Sequence, residues 1–100
     1  MIIIAGHLTI DPAKRDEAVA AMRECVDATT AEEGNVSYTF SEDIIEPNRI
    51  NITEVWRDED ALNEHFGTEH LIGFMSAVPG FAAGSSALTR YDVSGSSKLI

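Results

Sequence analysis

Two runs of the chain alternate regularly enough to set their own facing. In "NVSYTFSED", Val36, Tyr38 and Phe40 fall on one parity, and Ser37, Thr39 and Ser41 on the other. In "NRINITEVW", Ile50, Ile52, Glu54 and Trp56 share a parity. Successive strand side chains point to opposite faces, so each run reads as a strand with one apolar face. Pro47 and Asn48 lie between them as loop residues, so the pair is expected to close as a hairpin. If the two apolar faces coincide, paired residue numbers must sum to an even value. A loop-centred register then sets Tyr38 across from, or diagonal to, Glu54. Glu54 is the anomaly on this face. A carboxylate among apolar side chains needs a partner, a proton or a chemical role.

The remaining elements follow from the same reading. "MIIIAGHLTI" is rich in β-branched residues and reads as a strand, with Ile2, Ile4, Gly6, Leu8 and Ile10 facing one way and Ile3, Ala5, His7 and Thr9 the other. "DPAKRDEAVAAMRECVDATTAEEG" is a helix, with Asp11 as cap and Pro12 at the first helical position. Val19, Met22, Val26 and Thr29 form its stripe, with Ala18 and Cys25 alongside. Gly34 is expected to stop the helix in a left-handed conformation. "DEDALNEHF" is a short helix capped by Asp58, and Gly67 and Thr68 interrupt it. "EHLIGFMSAV" follows as another, with Leu71, Phe74, Met75 and Val78 on one stripe. Pro79 and Gly80 end that helix, "SSALTRYDV" is the last strand, and residues 94–100 read as a polar tail with an apolar tip.

The order β-α-β-β-α-α-β predicts an α+β, ferredoxin-like fold over residues 1–93, with a four-stranded antiparallel sheet and helices on one face. A second copy's sheet is the simplest cover for the other face, so a homodimer is expected. The formal charge of −10 and only 7 basic residues argue against nucleic acid and against anionic membrane surfaces as partners. The single cysteine, Cys25, cannot form an internal disulfide, and no apolar run reaches about 18 residues. The opening "MIIIAG" has neither the length nor the basic start of a signal peptide, so a cytoplasmic location is expected.

"EEGNVSYTF" followed by "PNRINITEVWRDEDALNEHFGTEHLIGF" resembles the antibiotic biosynthesis monooxygenase domain family, the dimeric α+β barrels that include quinol monooxygenases. Gly34, Tyr38, Glu54, Trp56, His65 and His70 carry the likeness. The resemblance implies two four-stranded sheets meeting as a dimeric barrel, and a pocket between each sheet and its helices. It implies oxygenation of a phenol, quinol or polycyclic aromatic by O₂ with no metal or flavin. The family's polyketide-oxygenating members tend to carry an Asn one turn-equivalent before the Trp, where this chain has Ile52. Its haem-degrading members carry an Asn on the first strand, where this chain has Gly6 and His7.

Cofactor-free oxygenation needs a base, a dry pocket and groups that hold the substrate's oxygens. The candidate bases are His65, His70, His7 and Glu54. His65 is the first choice, with Glu54 to orient it as a carboxylate orients a catalytic imidazole. Tyr38, Trp56, Leu71, Phe74 and His7 are the candidate substrate contacts, Trp56 by stacking on a flat ring. A structural Glu–His pair and core aromatics are the plainer reading of the same residues. No metal is expected, since His65 and His70 are five apart across a helix break and match no zinc signature. The competing functions are a non-catalytic dimer binding a small hydrophobic ligand and, more weakly, a haem-binding relative.

Overall fold

The structure, a computed structural model, describes residues 1–100. Strand β1 (Ile2–Thr9) leads through a short 3₁₀ turn at Pro12–Lys14 into α1 (Arg15–Thr30). The hairpin β2 (Asn35–Glu42) and β3 (Arg49–Trp56) follows, then α2 (Glu59–Phe66), α3 (Glu69–Ala77) and β4 (Ala87–Asp92). The four strands form one antiparallel sheet in the order β2-β3-β1-β4. This is the ferredoxin-like α+β architecture expected from the element order. No helix is long and apolar enough to cross a membrane.

The hairpin register pairs Tyr38 directly with Glu54, one of the two placements that the parity argument allowed. Its loop is held by Asp43, whose carboxylate accepts from the Ile45 and Glu46 amides and from Asn51 Nδ2. These bonds hold the Asp43 carboxyl down at about 2. Asn48 turns the chain back with φ 64°, a conformation that Asn adopts more readily than most residues.

One face of the sheet carries the core. Ile2, Leu8, Tyr38, Ile50, Ile52 and Trp56 are buried there against Ala18, Met22 and Cys25 of α1, Ala61 and Leu62 of α2, and Phe74 of α3. Each fully buried large apolar side chain contributes roughly 1.5–3 kcal/mol by leaving water. Within the chain, the opposite face has no helix over it. Ile3, Ala5, His7 and Thr9 lie there in register with Val55, Thr53, Asn51 and Arg49. His7 Nε2 is the one buried side-chain polar atom with no hydrogen-bond partner.

The structure corrects several expectations. Gly34 is not left-handed; only Asn48 and Gly84 have positive φ. Glycine is required at 34 because a Cβ there would lie 2.2 Å from the Ala61 side chain, where α2 crosses the chain. α1 ends earlier, at Thr30. Met75 is exposed rather than on a buried stripe, because Phe74 is the one residue of α3 that is fully buried; Phe66, at the end of α2, is exposed as well. Every residue of 94–100 is exposed and without regular structure.

Candidate functional site

Strand β3 delivers the first two groups. Its parity buries Ile50, Ile52, Glu54 and Trp56 together, with Glu54 only 7% exposed and Trp56 fully buried. Residues two apart on a strand share a face, so the indole reaches its neighbour. Trp56 Nε1 donates to Glu54 Oε1 at 3.0 Å. Burial pushes the Glu54 carboxyl up; the indole bond opposes this and the nearby Glu32 charge adds to it.

Helix α2 delivers His65. Asp58 caps it by accepting from the Ala61 amide, and Ala61, Leu62 and His65 form its buried side. The imidazole therefore lies on the sheet, with its centroid 4.5 Å from Trp56 and 5.5 Å, edge-on, from Tyr38. Thr68 then ends α2 and starts α3. Its hydroxyl donates to the His65 carbonyl and accepts from the Leu71 amide. On a continuous helix, residues five apart would diverge by about 140°. The break at Gly67 and Thr68 turns α3 so that His65 and His70 converge, with ring centroids 5.9 Å apart.

A third residue joins them. Glu32, in the turn after α1, places Oε2 2.7 Å from His65 Nδ1 and 2.8 Å from His70 Nε2. The expected Glu54–His65 pair does not form: Glu54 is engaged by the indole, and Glu32 is the carboxylate that holds the imidazole. The sequence reading missed Glu32 because it lies 33 and 38 residues from its partners, and no spacing rule spans that gap. With Glu32 ionised, both rings donate to it. A neutral His65 then carries its proton on Nδ1 and its lone pair on Nε2. Burial pushes the His65 pKa down; the Glu32 bond resists and His70 adds a small further depression. Nε2 has no partner within the chain, yet it is not sealed in like His7 Nε2.

A hollow of about 300 Å³ has His65 in its lining. Its walls are Ile4, Tyr38, Phe40, Ile52, Leu71 and Phe74, with Phe66, Met75 and Leu88 among the remaining lining residues. Glu54 and His65 are its acid–base groups, and Arg90 also lines it. Of the residues singled out in the sequence, His65, Glu54, Tyr38, Leu71 and Phe74 come together here. Trp56 lies buried beside His65 and Glu54 and does not reach the hollow. His70 lines a separate hollow between α1 and α3, and His7 is on the opposite face of the sheet. The Tyr38 hydroxyl lies 3.6 Å from Cys25 Sγ; burial pushes both groups' pKa values up. A hollow of about 340 Å³ between α1 and β2 has Arg15 and Glu42 in its lining and holds no histidine.

The model of the family described as antibiotic biosynthesis monooxygenase matches residues 1–77. The chain belongs to the antibiotic biosynthesis monooxygenase family. Among its relatives, the Bacillus subtilis protein named "Putative monooxygenase YcnE" is 34% identical over 76 residues, 76% of this chain and 80% of that one. An uncharacterized Synechocystis protein is 32% identical over 92 residues, which cover 92% of this chain but only 63% of the relative. A family structure from Deinococcus radiodurans superposes with a TM-score of 0.88, covering 100% of this chain and 99% of that one at 22% identity. Rv0793 of Mycobacterium tuberculosis gives 0.87, covering 97% of this chain and 98% of that one, also at 22%. At that identity the structures speak for the fold alone.

Proposed function

We propose that this family member is a cofactor-independent monooxygenase acting on a small phenolic, quinol or polycyclic aromatic substrate, with His65 as the base. The observation that carries this reading is the apolar hollow beside His65, whose Nδ1 is held by Glu32 and whose Nε2 is free. A volume of about 300 Å³ is at the low end for small-molecule sites, roughly 300–1,000 Å³. It suits a compact aromatic.

In the proposed reaction His65 Nε2 takes the acidic proton of the bound substrate. Glu32 stabilises the imidazolium and keeps the ring oriented, as a carboxylate does in a catalytic triad. The apolar walls keep water from the anion. The substrate anion then gives one electron to O₂, and the two radicals combine into an organic peroxide anion. That anion recovers the proton from His65 and loses water to leave a carbonyl. For a methylene substrate the balance is R₂CH₂ + O₂ → R₂C=O + H₂O, with the substrate as sole reductant. Glu54, kept toward its neutral form by burial, is placed to donate a hydrogen bond to a substrate oxygen.

The assembly in this proposal is a homodimer whose helix-free sheet faces meet, covering Ile3, Val55 and the unpartnered His7 Nε2. Light scattering on the purified chain tests it. One observation favours the non-catalytic reading. The Tyr38 hydroxyl and one Glu54 oxygen already have partners, which leaves few groups to hold a substrate.

Oxygen uptake by metal-stripped protein with anthrones, naphthohydroquinones and simple quinols decides between them. Uptake above the spontaneous rate that falls at least tenfold in His65→Gln, with folding kept, supports the enzyme. Uptake no faster than buffer for every compound, together with ligand-induced thermal shifts, moves the reading to a binding module.

A further inference from the structure

The Glu32 carboxylate is the feature that proton chemistry alone leaves unbalanced. It is mostly buried, with its side chain 17% exposed. Its side chain's only partners are two imidazoles, and no Lys or Arg pairs with it. Buried charges in proteins are usually paired with an opposite charge or bound to a metal. We propose that Glu32, His65 and His70 form a site for a divalent transition-metal ion of the Zn²⁺ class.

The donor set fits that class. Two imidazole nitrogens and a carboxylate oxygen suit Zn²⁺, Co²⁺ or Cu²⁺, and three protein ligands leave a position for water. The three donor atoms come from three different elements and already lie within 4.8 Å of one another. At bond lengths of about 2.0–2.1 Å, a tetrahedral edge is about 3.3 Å. The 2.7 and 2.8 Å hydrogen bonds must therefore open by roughly half an ångström. His70 can yield, since it sits in the first turn of α3 with its side chain 23% exposed.

Of the three ligands, His70 borders a hollow of its own. The hollow of about 250 Å³ beside His70 is lined by Glu24 and Glu69 and by no Lys or Arg. Its acidic mouth on a chain of charge −10 attracts cations.

Binding has a defined consequence for the protons. His65 Nδ1 and His70 Nε2 must both present lone pairs to the ion. Each neutral ring keeps its single proton, which moves to the other nitrogen. His65 Nε2 changes from acceptor to donor. If His65 is the base proposed above, which this clause alone presumes, the bound ion switches it off.

The test uses the full chain after chelator treatment, with Co²⁺ and Zn²⁺ as probes. Visible Co²⁺ absorption and calorimetry with Zn²⁺ are expected to give one ion per chain. Affinity should fall at least tenfold in Glu32→Gln and in His70→Ala, and stay unchanged in His7→Ala. Long-range ¹H–¹⁵N NMR should show the His65 proton pass from Nδ1 to Nε2 as Zn²⁺ is added. His70→Gln serves if His70→Ala does not fold. No binding at millimolar metal, or binding that these variants leave intact, overturns the proposal. None of these readouts needs turnover. Oxygen uptake without metal binding therefore sinks only the site, and metal binding without uptake sinks only the oxygenase reading.

Discussion

Replacing Glu32 by alanine probes the centre of this arrangement. His65 is 1% exposed, so its Nδ1–H loses a partner and gains no water. Leaving a buried donor unsatisfied costs about 1–3 kcal/mol. His70 is more exposed, and solvent can replace its lost bond at little cost. The expected loss is therefore about 2–3 kcal/mol. For a chain of 100 residues each kcal/mol moves Tm by about 4–8 °C, so the melting temperature should drop by roughly 10–20 °C. Glu32→Gln keeps an acceptor oxygen and should lose only about 1 kcal/mol. Urea denaturation at neutral pH, followed by the emission of the single buried Trp56, measures both. A Glu32→Ala protein within about 0.5 kcal/mol of wild type would mean that Glu32 does not hold the His65 ring. The account of the base would then collapse.

Three further outcomes follow from the same geometry. Burial raises the folded-state pKa of Glu54 above the unfolded value of 4.5, so its contribution is intact below that value and is lost as pH rises through the folded pKa. Glu54→Gln should therefore stabilise the protein at pH 7, by about 1 kcal/mol, with the gain vanishing near pH 4 in parallel urea melts. His65 shows the opposite sign: its folded pKa lies below 6.5, so stability is full above 6.5 and falls as pH drops below it. A His65→Gln protein should show a flatter stability profile between pH 7 and pH 5. Gly34→Ala places a methyl against Ala61 and should cost about 1–3 kcal/mol by overpacking. Adding Ala61→Gly should restore part of it, and additive losses in thermal melts would show that the two positions do not touch.

Periodicity made much of this molecule legible. Strand alternation put Ile52, Glu54 and Trp56 on one face and set Tyr38 across from or diagonal to Glu54, because a strand has only two faces and a short loop leaves few registers; the structure pairs them directly. The cap at Asp58 marked the first short helix, since an Asp side chain satisfies free helix amides, and Gly67 and Thr68 marked its break from the second. His65 lies against Trp56 on the sheet, but the Glu54 pairing expected for it does not form. The partner of His65 was not legible. Glu32 reads in "TAEEG" as an ordinary solvated residue at a helix end, and nothing local separates it from Glu33, which is exposed.

Gly34 shows the same boundary. Its position near the end of α1 suggested a backbone role, whereas the reason for it is Ala61, brought against it by the crossing of α2. Trp56 was expected to stack on a ligand, but its depth beneath His65 depends on how α2 lies on the sheet. The sequence by itself determined the elements and their facing, and narrowed the hairpin register to a few choices, all set by interactions within a few residues. Only the tertiary structure decided that one carboxylate from the end of α1 meets two imidazoles from different helices. That meeting depends on the angle at the Gly67–Thr68 break and on packing across more than thirty residues, which no local pattern encodes.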